Sequence, residues 1–310
     1  MDELLTVSLK DVVFKNPLIA ASGVVGYGRE YEKFFPLSVL GGISVKGTTK
    51  EPRLGNSCPR VAETASGMLN SIGLENPGIE VFIKEHLPYL LKKRTVVIAN
   101  IAGSSISEYE YLSERLNETD VHLIELNISC PNVEKAGLVF GSSSSQISNV
   151  VSAVRKKTSK PLVVKLSPNV TSIVEMAKAA EAAGADAICL INTLLGMKID
   201  IKSKRPILKN NMGGLSGPCI LPVAVRMVWQ TFKEVSIPII GCGGISSYED
   251  ALEIMMAGAS FFQIGTVLFN DLTAPIKILD GLKEYLKQQK IKNIKEIVGS
   301  VLDWWLVISY

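Results

Sequence analysis

The chain has 310 residues, 47% of them hydrophobic and 20% charged, with a formal net charge of +3. This composition excludes a disordered chain, and the near balance of charge gives no footing for a nucleic-acid or polyanion surface. The length exceeds a common domain but suits an α/β barrel folded as one unit.

The first residues, Met1-Asp2-Glu3-Leu4-Leu5, are acidic where a secretory signal is basic, and no apolar run reaches the length of a membrane span. The odd number and wide spacing of the five cysteines point to reduced thiols, so a cytoplasmic protein is expected. Leu5–Lys15 alternates as a hairpin about Lys10-Asp11 and is expected to plug the bottom of the fold. Eight strands are predicted at Pro17–Ala21, Gly42–Lys46, Val96–Asn100, Leu123–Asn127, Leu162–Leu166, Ala187–Ile191, Pro238–Gly241 and Phe261–Gly265. Each is apolar with little alternation, as strands buried on both faces are. Amphipathic stretches lie between them, among them Gln146–Lys157, Ile173–Ala183, Ser247–Ala257 and Ala274–Gln288. Gly184 and Gly258 stand where helices close.

Eight βα units predict an α/β fold, a closed (β/α)8 barrel. An open doubly wound sheet is disfavoured because no G-x-G-x-x-G follows a strand. The nearest run, Gly241-Cys242-Gly243-Gly244, has Ser246 where the last glycine belongs. Long segments follow the second, fourth and sixth strands, at Gly47 to Pro77, Cys130–Ser145 and Thr193–Ser216. Connections of that length are usually functional, and all leave strand C-termini, where barrel active sites sit.

The strand ends are strongly non-random. They are Ser22, Lys46, Asn100, Asn127, Lys165, Asn192, Gly243-Gly244 and Gly265-Thr266. A solvent-wetted polar rim accounts for one or two of these, but a lysine ending an apolar strand needs an anionic or polar partner. The glycines after the last two strands, with Gly217 at the start of another helix, fit a phosphate held by backbone N–H groups. Plain turn glycines are the competing explanation.

Of the five cysteines, Cys58, Cys130, Cys189, Cys219 and Cys242, none forms a C-x-x-C or other metal-ligand spacing. Neither zinc nor an iron–sulfur cluster is supported on this chain. Cys130 lies just past the fourth strand, in Asn127-Ile128-Ser129-Cys130-Pro131-Asn132, while the other four fall in apolar or turn segments where cysteine packs as a small hydrophobe. His86 and His122 fall at strand starts or on helices, so no histidine is placed to activate it. That favours a thiol acting as general base beside an electron sink over a Cys-His hydrolase.

These motifs resemble class 1 dihydroorotate dehydrogenases, and the class 1B catalytic subunit more closely. The resemblance runs from Asn16-Pro17 to about Val298. It is carried by Ala21-Ser22-Gly23, GGISVKGTT at 41–49, GMLNSIGLENPG at 67–78, ELNISCPN at 125–132, MGGLSG at 212–217 and IIGCGGI at 239–245. It implies one FMN-binding (β/α)8 barrel domain over residues 1–310 that oxidises dihydroorotate to orotate in pyrimidine biosynthesis. FMN contacts are implied for Ser22, Lys46, Gly47, Asn100, Asn127, Lys165 and Ile191. The ribityl-phosphate site falls on Gly217, Gly243, Gly244, Gly265 and Thr266. Substrate contacts fall on Lys46, the loop Asn70-Ser71-Ile72-Gly73-Leu74, Asn127, Asn132, Asn192 and Thr193. Lys165 corresponds to the lysine at the flavin N1 and O2 edge, whose charge stabilises the anionic reduced flavin. Cys130 corresponds to the base that removes the C5 proton while hydride leaves C6 for flavin N5. Membrane-associated class 2 enzymes carry serine there.

The resemblance further implies a partner subunit holding FAD and a [2Fe–2S] cluster, in a heterotetramer of two catalytic and two electron-transfer chains, with NAD as the final acceptor. The segment Val133–Ser145, with Gly137, Gly141 and four consecutive serines, is expected to close over substrate. Asp303–Tyr310 departs from the family's usual polar ending. Three alternatives stay open: a class 1A enzyme using fumarate, a non-redox lyase or isomerase on a phosphate-binding barrel, and a barrel that only binds ligand. A bound flavin would dismiss the last two, and turnover with fumarate would favour the first.

Overall fold

The computed structural model describes residues 3–128 and 140–302. Cys130, Asn132, most of the expected lid at 133–145 and the tail at 303–310 lie outside the described residues.

The hairpin forms as expected, from β1 (Val7–Leu9) and β2 (Val12–Phe14). The barrel strands are β3 (Leu18–Ala20) and β4 (Gly42–Ser44), and later β7 (Val96–Ile101), β8 (Leu123–Asn127), β9 (Leu162–Lys165) and β10 (Ala187–Leu190). They are completed by β15 (Ile239–Cys242) and β16 (Ala259–Ile264). All eight predicted strands are present, and they close in the order β3-β4-β7-β8-β9-β10-β15-β16 with β16 pairing parallel to β3. Burial on both faces is visible in β7, where every residue from Val96 to Ile101 is buried.

Helices at Ile106–Asn117, Ser144–Arg155, Ile173–Ala182, Leu221–Phe232 and Tyr248–Met256 cross between consecutive strands. Four of them start on a serine, Ser105, Ser143, Ser172 and Ser247, whose side chain accepts the backbone N–H three residues on. Each cap satisfies a donor the helix leaves orphaned. The first crossover departs from the expected pattern. Two short 3-10 turns, Tyr31–Lys33 and Leu37–Val39, replace a full helix between β3 and β4. Gly23, Gly26 and Gly28 all take positive φ there, which prevents helix propagation, and buried Phe35 and Leu37 fill the space instead.

The hairpin seals the N-terminal end. The Phe14 ring packs edge-on to Phe261 at 4.9 Å between centroids. A Cβ on Gly42 would meet that same ring at 3.0 Å. Lys10 at the hairpin tip pairs at 2.9 Å with Asp186, the residue just before β10.

Two of the long segments form structure that the sequence reading did not anticipate. β5 (Val61–Thr64) and β6 (Gly67–Asn70) come from the segment after β4. β11 (Leu194–Met197) and β14 (Met212–Ser216) come from the segment after β10, which also makes the small ribbon β12 (Ile199–Asp200) with β13 (Arg205–Pro206). The first four join as one antiparallel sheet in the order β11-β14-β6-β5, over its own small core of Ala62, Leu69 and Leu208.

Candidate active site

A cavity of about 430 Å³ opens at the C-terminal ends of the barrel strands, within the usual range of small-ligand sites. Seventeen of the expected residues line it: Ser22, Lys46, Gly47, Asn70, Ile72, Gly73, Leu74, Asn127, Lys165, Ile191, Asn192, Thr193, Gly217, Gly243, Gly244, Gly265 and Thr266. Strand ends, the antiparallel sheet and three glycine turns therefore converge on one space.

Two expected residues stand behind the wall rather than on it. Asn100 is fully buried on β7, and Ser71 is fully buried in the loop after β6. Asn100 Nδ2 donates to Glu125 at 2.6 Å, while its Oδ1 is buried without a hydrogen-bond partner. That oxygen lies directly behind Gly47, where a Cβ would approach it to 3.0 Å. The Ser71 hydroxyl is likewise buried and unpartnered.

The loop Asn70–Leu74 is held by Asn76, which sequence reasoning did not single out. Its Oδ1 accepts from the backbone of Thr49 and Gly78, and its Nδ2 donates to Thr49 Oγ1 and to the Leu74 carbonyl at 2.7 Å. One buried amide thus ties the end of the substrate-loop candidate to the segment just after Lys46. The sheet side is fixed by packing as close. A Cβ on Gly214 would fall 2.1 Å from Thr193 Oγ1, so only glycine lets β14 lie against that residue.

The glycine cradle is built from three turns. Gly217 precedes the turn Pro218–Ile220 and the helix Leu221–Phe232, Gly243-Gly244 follow β15, and Gly265-Thr266 precede the short helix Val267–Asn270. Gly244 has φ +81°, and a Cβ there would lie 2.6 Å from the Leu221 backbone nitrogen. Thr266 Oγ1 donates to Ser216 Oγ at 2.8 Å, bracing the cradle against the sheet. Backbone N–H groups at the start of a helix are suited to an anion.

Lys165 is the buried cation of the site, only 5% exposed. Its Nζ donates to Gln263 Oε1 at 2.9 Å and lies 3.8 Å from Cys242 Sγ. Burial opposes its charge, but the Cys242, Cys189 and Glu125 groups outweigh burial and hold the amine above the ordinary lysine range. Burial pushes the Cys189 thiol up, whereas its hydrogen bond to Cys242, with the Lys165 cation adding, lowers the Cys242 thiol. Cys242 is therefore a wall residue beside the cation and not the inert small hydrophobe expected from its apolar strand. Cys58 and Cys219 also depart from that expectation, since both are exposed; Cys189 alone of the four is fully buried. His86 and His122 do not line the cavity, and His122 Nδ1 accepts from the Val97 backbone at 3.1 Å.

Glu125 and Gln263 were also missed as site residues. The signal was available: a carboxylate and an amide interrupt the apolar strands LIELN and ASFFQI, two residues and one residue before their ends. No helix among the described residues is long and apolar enough to cross a membrane.

Comparison with known proteins agrees with this arrangement. A family model for dihydroorotate dehydrogenase matches residues 4–286. The chain is 52% identical over 298 residues to the dihydroorotate dehydrogenase B (NAD(+)) catalytic subunit of Parabacteroides distasonis, covering 96% of this chain and 98% of that protein. The protein of the same name from Alkaliphilus oremlandii is 51% identical over 295 residues, covering 95% and 98%. That from Geotalea uraniireducens is 49% identical over 299 residues, covering 96% and 98%. With a closed parallel barrel, a cation-bearing cavity at its C-terminal face and half-identical relatives matched almost end to end, the chain belongs to the dihydroorotate dehydrogenase family.

Proposed function

We propose that this chain oxidises dihydroorotate to orotate in pyrimidine biosynthesis, in the cytoplasm, with FMN in the barrel cavity and NAD as the final acceptor through a partner subunit. The observation that carries the proposal is the meeting of Lys165, Lys46 and the amides of Asn70, Asn127 and Asn192 in the same cavity as the glycine cradle.

The residues present fit FMN. Gly217, Gly243 and Gly244 take positive φ and pack so closely on Gly67, Ala224 and Leu221 that side chains are excluded, which leaves bare backbone at the cavity wall to offer N–H groups to a phosphate. Lys165 presents a buried positive charge, and the orphaned Asn100 Oδ1 behind Gly47 calls for a donor. When bound, FMN supplies the hydride acceptor. The protein supplies the rest. Asparagine side chains pair a donor with an acceptor in one plane, which matches the alternating N–H and C=O edge of a pyrimidine ring. Asn132 would add to that set, and Lys46 would answer the substrate carboxylate. Cys130 would take the C5 proton as hydride departs from C6. Lys165 would offset negative charge developing at the flavin N1 and O2 edge, already in place and needing no reorganisation.

The decisive experiment is an absorbance spectrum of the purified chain, followed by anaerobic addition of dihydroorotate. A bound flavin that bleaches and releases orotate supports the proposal. A colourless protein that takes up no FMN would overturn it, and fast turnover with fumarate would move the chain to class 1A.

The cradle gives a direct prediction. Gly244→Ala forces a side chain into a φ of +81° and against the Leu221 backbone. The strain alone costs about 1–3 kcal/mol. The variant should purify with well below one flavin per chain, measured as the flavin-to-protein absorbance ratio. Full occupancy would remove Gly244 from the cradle.

The partner gives another. The relatives' names specify a catalytic subunit and NAD(+). This sequence has no dinucleotide fingerprint and no cysteine spacing for an iron–sulfur relay. The proposed partner carries FAD and a [2Fe–2S] cluster, in a heterotetramer of two catalytic and two electron-transfer chains. The isolated chain should reduce artificial acceptors with dihydroorotate but reduce NAD poorly until that subunit is added. Efficient NAD reduction by the chain alone would sink the partner proposal.

A further inference from the structure

We propose that Glu125 is a positioning residue for the flavin chemistry: acting through the amide of Gln263, its carboxylate sets how far the Lys165 ammonium reaches toward the cavity and how much uncompensated charge it presents there. The inference rests on the flavin reading above.

Glu125 sits inside the barrel on β8 with no exposed surface. Its carboxylate accepts hydrogen bonds from three side chains on three other strands. Ser44 Oγ donates to Oε1 at 2.8 Å, Asn100 Nδ2 to Oε1 at 2.6 Å, and Gln263 Nε2 to Oε2 at 2.6 Å. An ionised carboxylate is an acceptor only, so each neighbour must turn its donor inward. For Gln263 this decides the far end of the amide. Its NH2 is committed to Glu125, so its oxygen faces Lys165 Nζ at 2.9 Å. With the amide reversed, an NH2 group would confront the ammonium. For Asn100 the same commitment turns Oδ1 away from Glu125, and this is the oxygen left buried and unpartnered behind Gly47.

The carboxylate and the ammonium are thus two buried charges separated by one amide. Each would be costly alone, and charges in such an interior act on their surroundings far more strongly than in water. Together they offset one another beneath the cavity, with the Cys242 sulfur 3.8 Å from the ammonium on its other side. Two changes should then act in opposite directions on a flavin above them. Glu125→Gln removes the counter-charge and leaves the cation uncompensated, which favours the reduced, more negative flavin. Gln263→Met keeps both charges but removes the spacer. The ammonium can then collapse onto the carboxylate and withdraw from the cavity, which disfavours the reduced flavin. A network that served only to hold the barrel together would lower stability in both variants without opposite effects on the flavin.

The test is an anaerobic redox titration of the FMN-loaded wild-type chain and both variants against a reference dye, with thermal unfolding measured in parallel. Glu125→Gln should shift the oxidation–reduction equilibrium toward reduced flavin roughly tenfold, about 30 mV for a two-electron couple. Gln263→Met should shift it the other way by a comparable factor. Unchanged midpoints, or shifts of one sign in both variants, overturn the proposal even if both proteins melt earlier. If Glu125→Gln does not fold, Gln263→Met alone decides, and an unshifted or raised midpoint there is sufficient to reject it. A wild-type chain that binds no flavin would instead bring down the flavin reading itself.

Discussion

Lys165→Met should slow reduction of bound flavin by dihydroorotate about 10²–10³-fold, the usual cost of removing one preorganised group from developing charge. Methionine keeps the length and the apolar stem but not the cation. Lys165 is the buried positive charge at the cavity wall, held on β9 by strand pairing on both sides and by Gln263 at 2.9 Å. Nothing has to move for it to act. The substitution has a second consequence, because it strands the Glu125 carboxylate in the barrel without its counter-charge. Breaking a buried pair from one side costs about 3–5 kcal/mol. Lys165→Met should therefore melt well below wild type, and the double variant Lys165→Met with Glu125→Gln should recover much of that loss. The rate should not recover. Rapid-mixing measurement of flavin bleaching, beside thermal melts of the single and double variants, checks both halves. If the double variant regains the rate together with the stability, Lys165 is a structural group and its electrostatic role is lost.

Cys130→Ser should cost about 10²–10⁴-fold in flavin reduction at pH 7, the usual loss on removing a positioned general base. A serine hydroxyl ionises far less readily than a thiol, so the deficit should narrow as pH rises. Orotate binding should stay near wild type, because Lys46, Asn70, Asn127 and Asn192 line the cavity and remain in the variant. Cys130 follows Asn127 by three positions in the sequence, and Asn127 is itself on the cavity wall, its carbonyl fixed by the Tyr109 hydroxyl at 2.8 Å. The measurement is the rate of anaerobic flavin bleaching by dihydroorotate across a pH series, with orotate titrated into each protein. Bleaching at the wild-type rate at pH 7 would take the base role away from Cys130.

The barrel itself was legible in the sequence, for a physical reason. A strand buried on both faces must be apolar along most of its length, so LIELN, LVVK and AICL announce themselves locally despite the polar residues within or at the ends of the first two. The glycine turns are equally local, since the positive φ at Gly217, Gly243 and Gly244 is a demand made by the backbone at that residue. Family resemblance added the identity of the ligands that such ends would meet. These signals together sufficed to gather Lys46, Asn127, Lys165 and Asn192 into one site.

What tertiary structure alone decided were the contacts between residues distant in the chain. The antiparallel sheet pairs β6 with β14, and its Asn70 and Gly214 are 144 residues apart. Its strands carry Gly67, Gly196, Gly213 and Gly214, which have low strand propensity. They are extended because close approach leaves no room for side chains, a condition invisible from either segment. Cys242 reads as a packing residue until β9 brings Lys165 beside it. Glu125 reads as an anomaly in an apolar strand until closure of the barrel places Ser44, Asn100 and Gln263 around it. Composition and periodicity determine which residues can be buried in a barrel; only closure of the strands determines which polar groups then face each other, because a buried charge is satisfied by neighbours that sequence distance does not reveal.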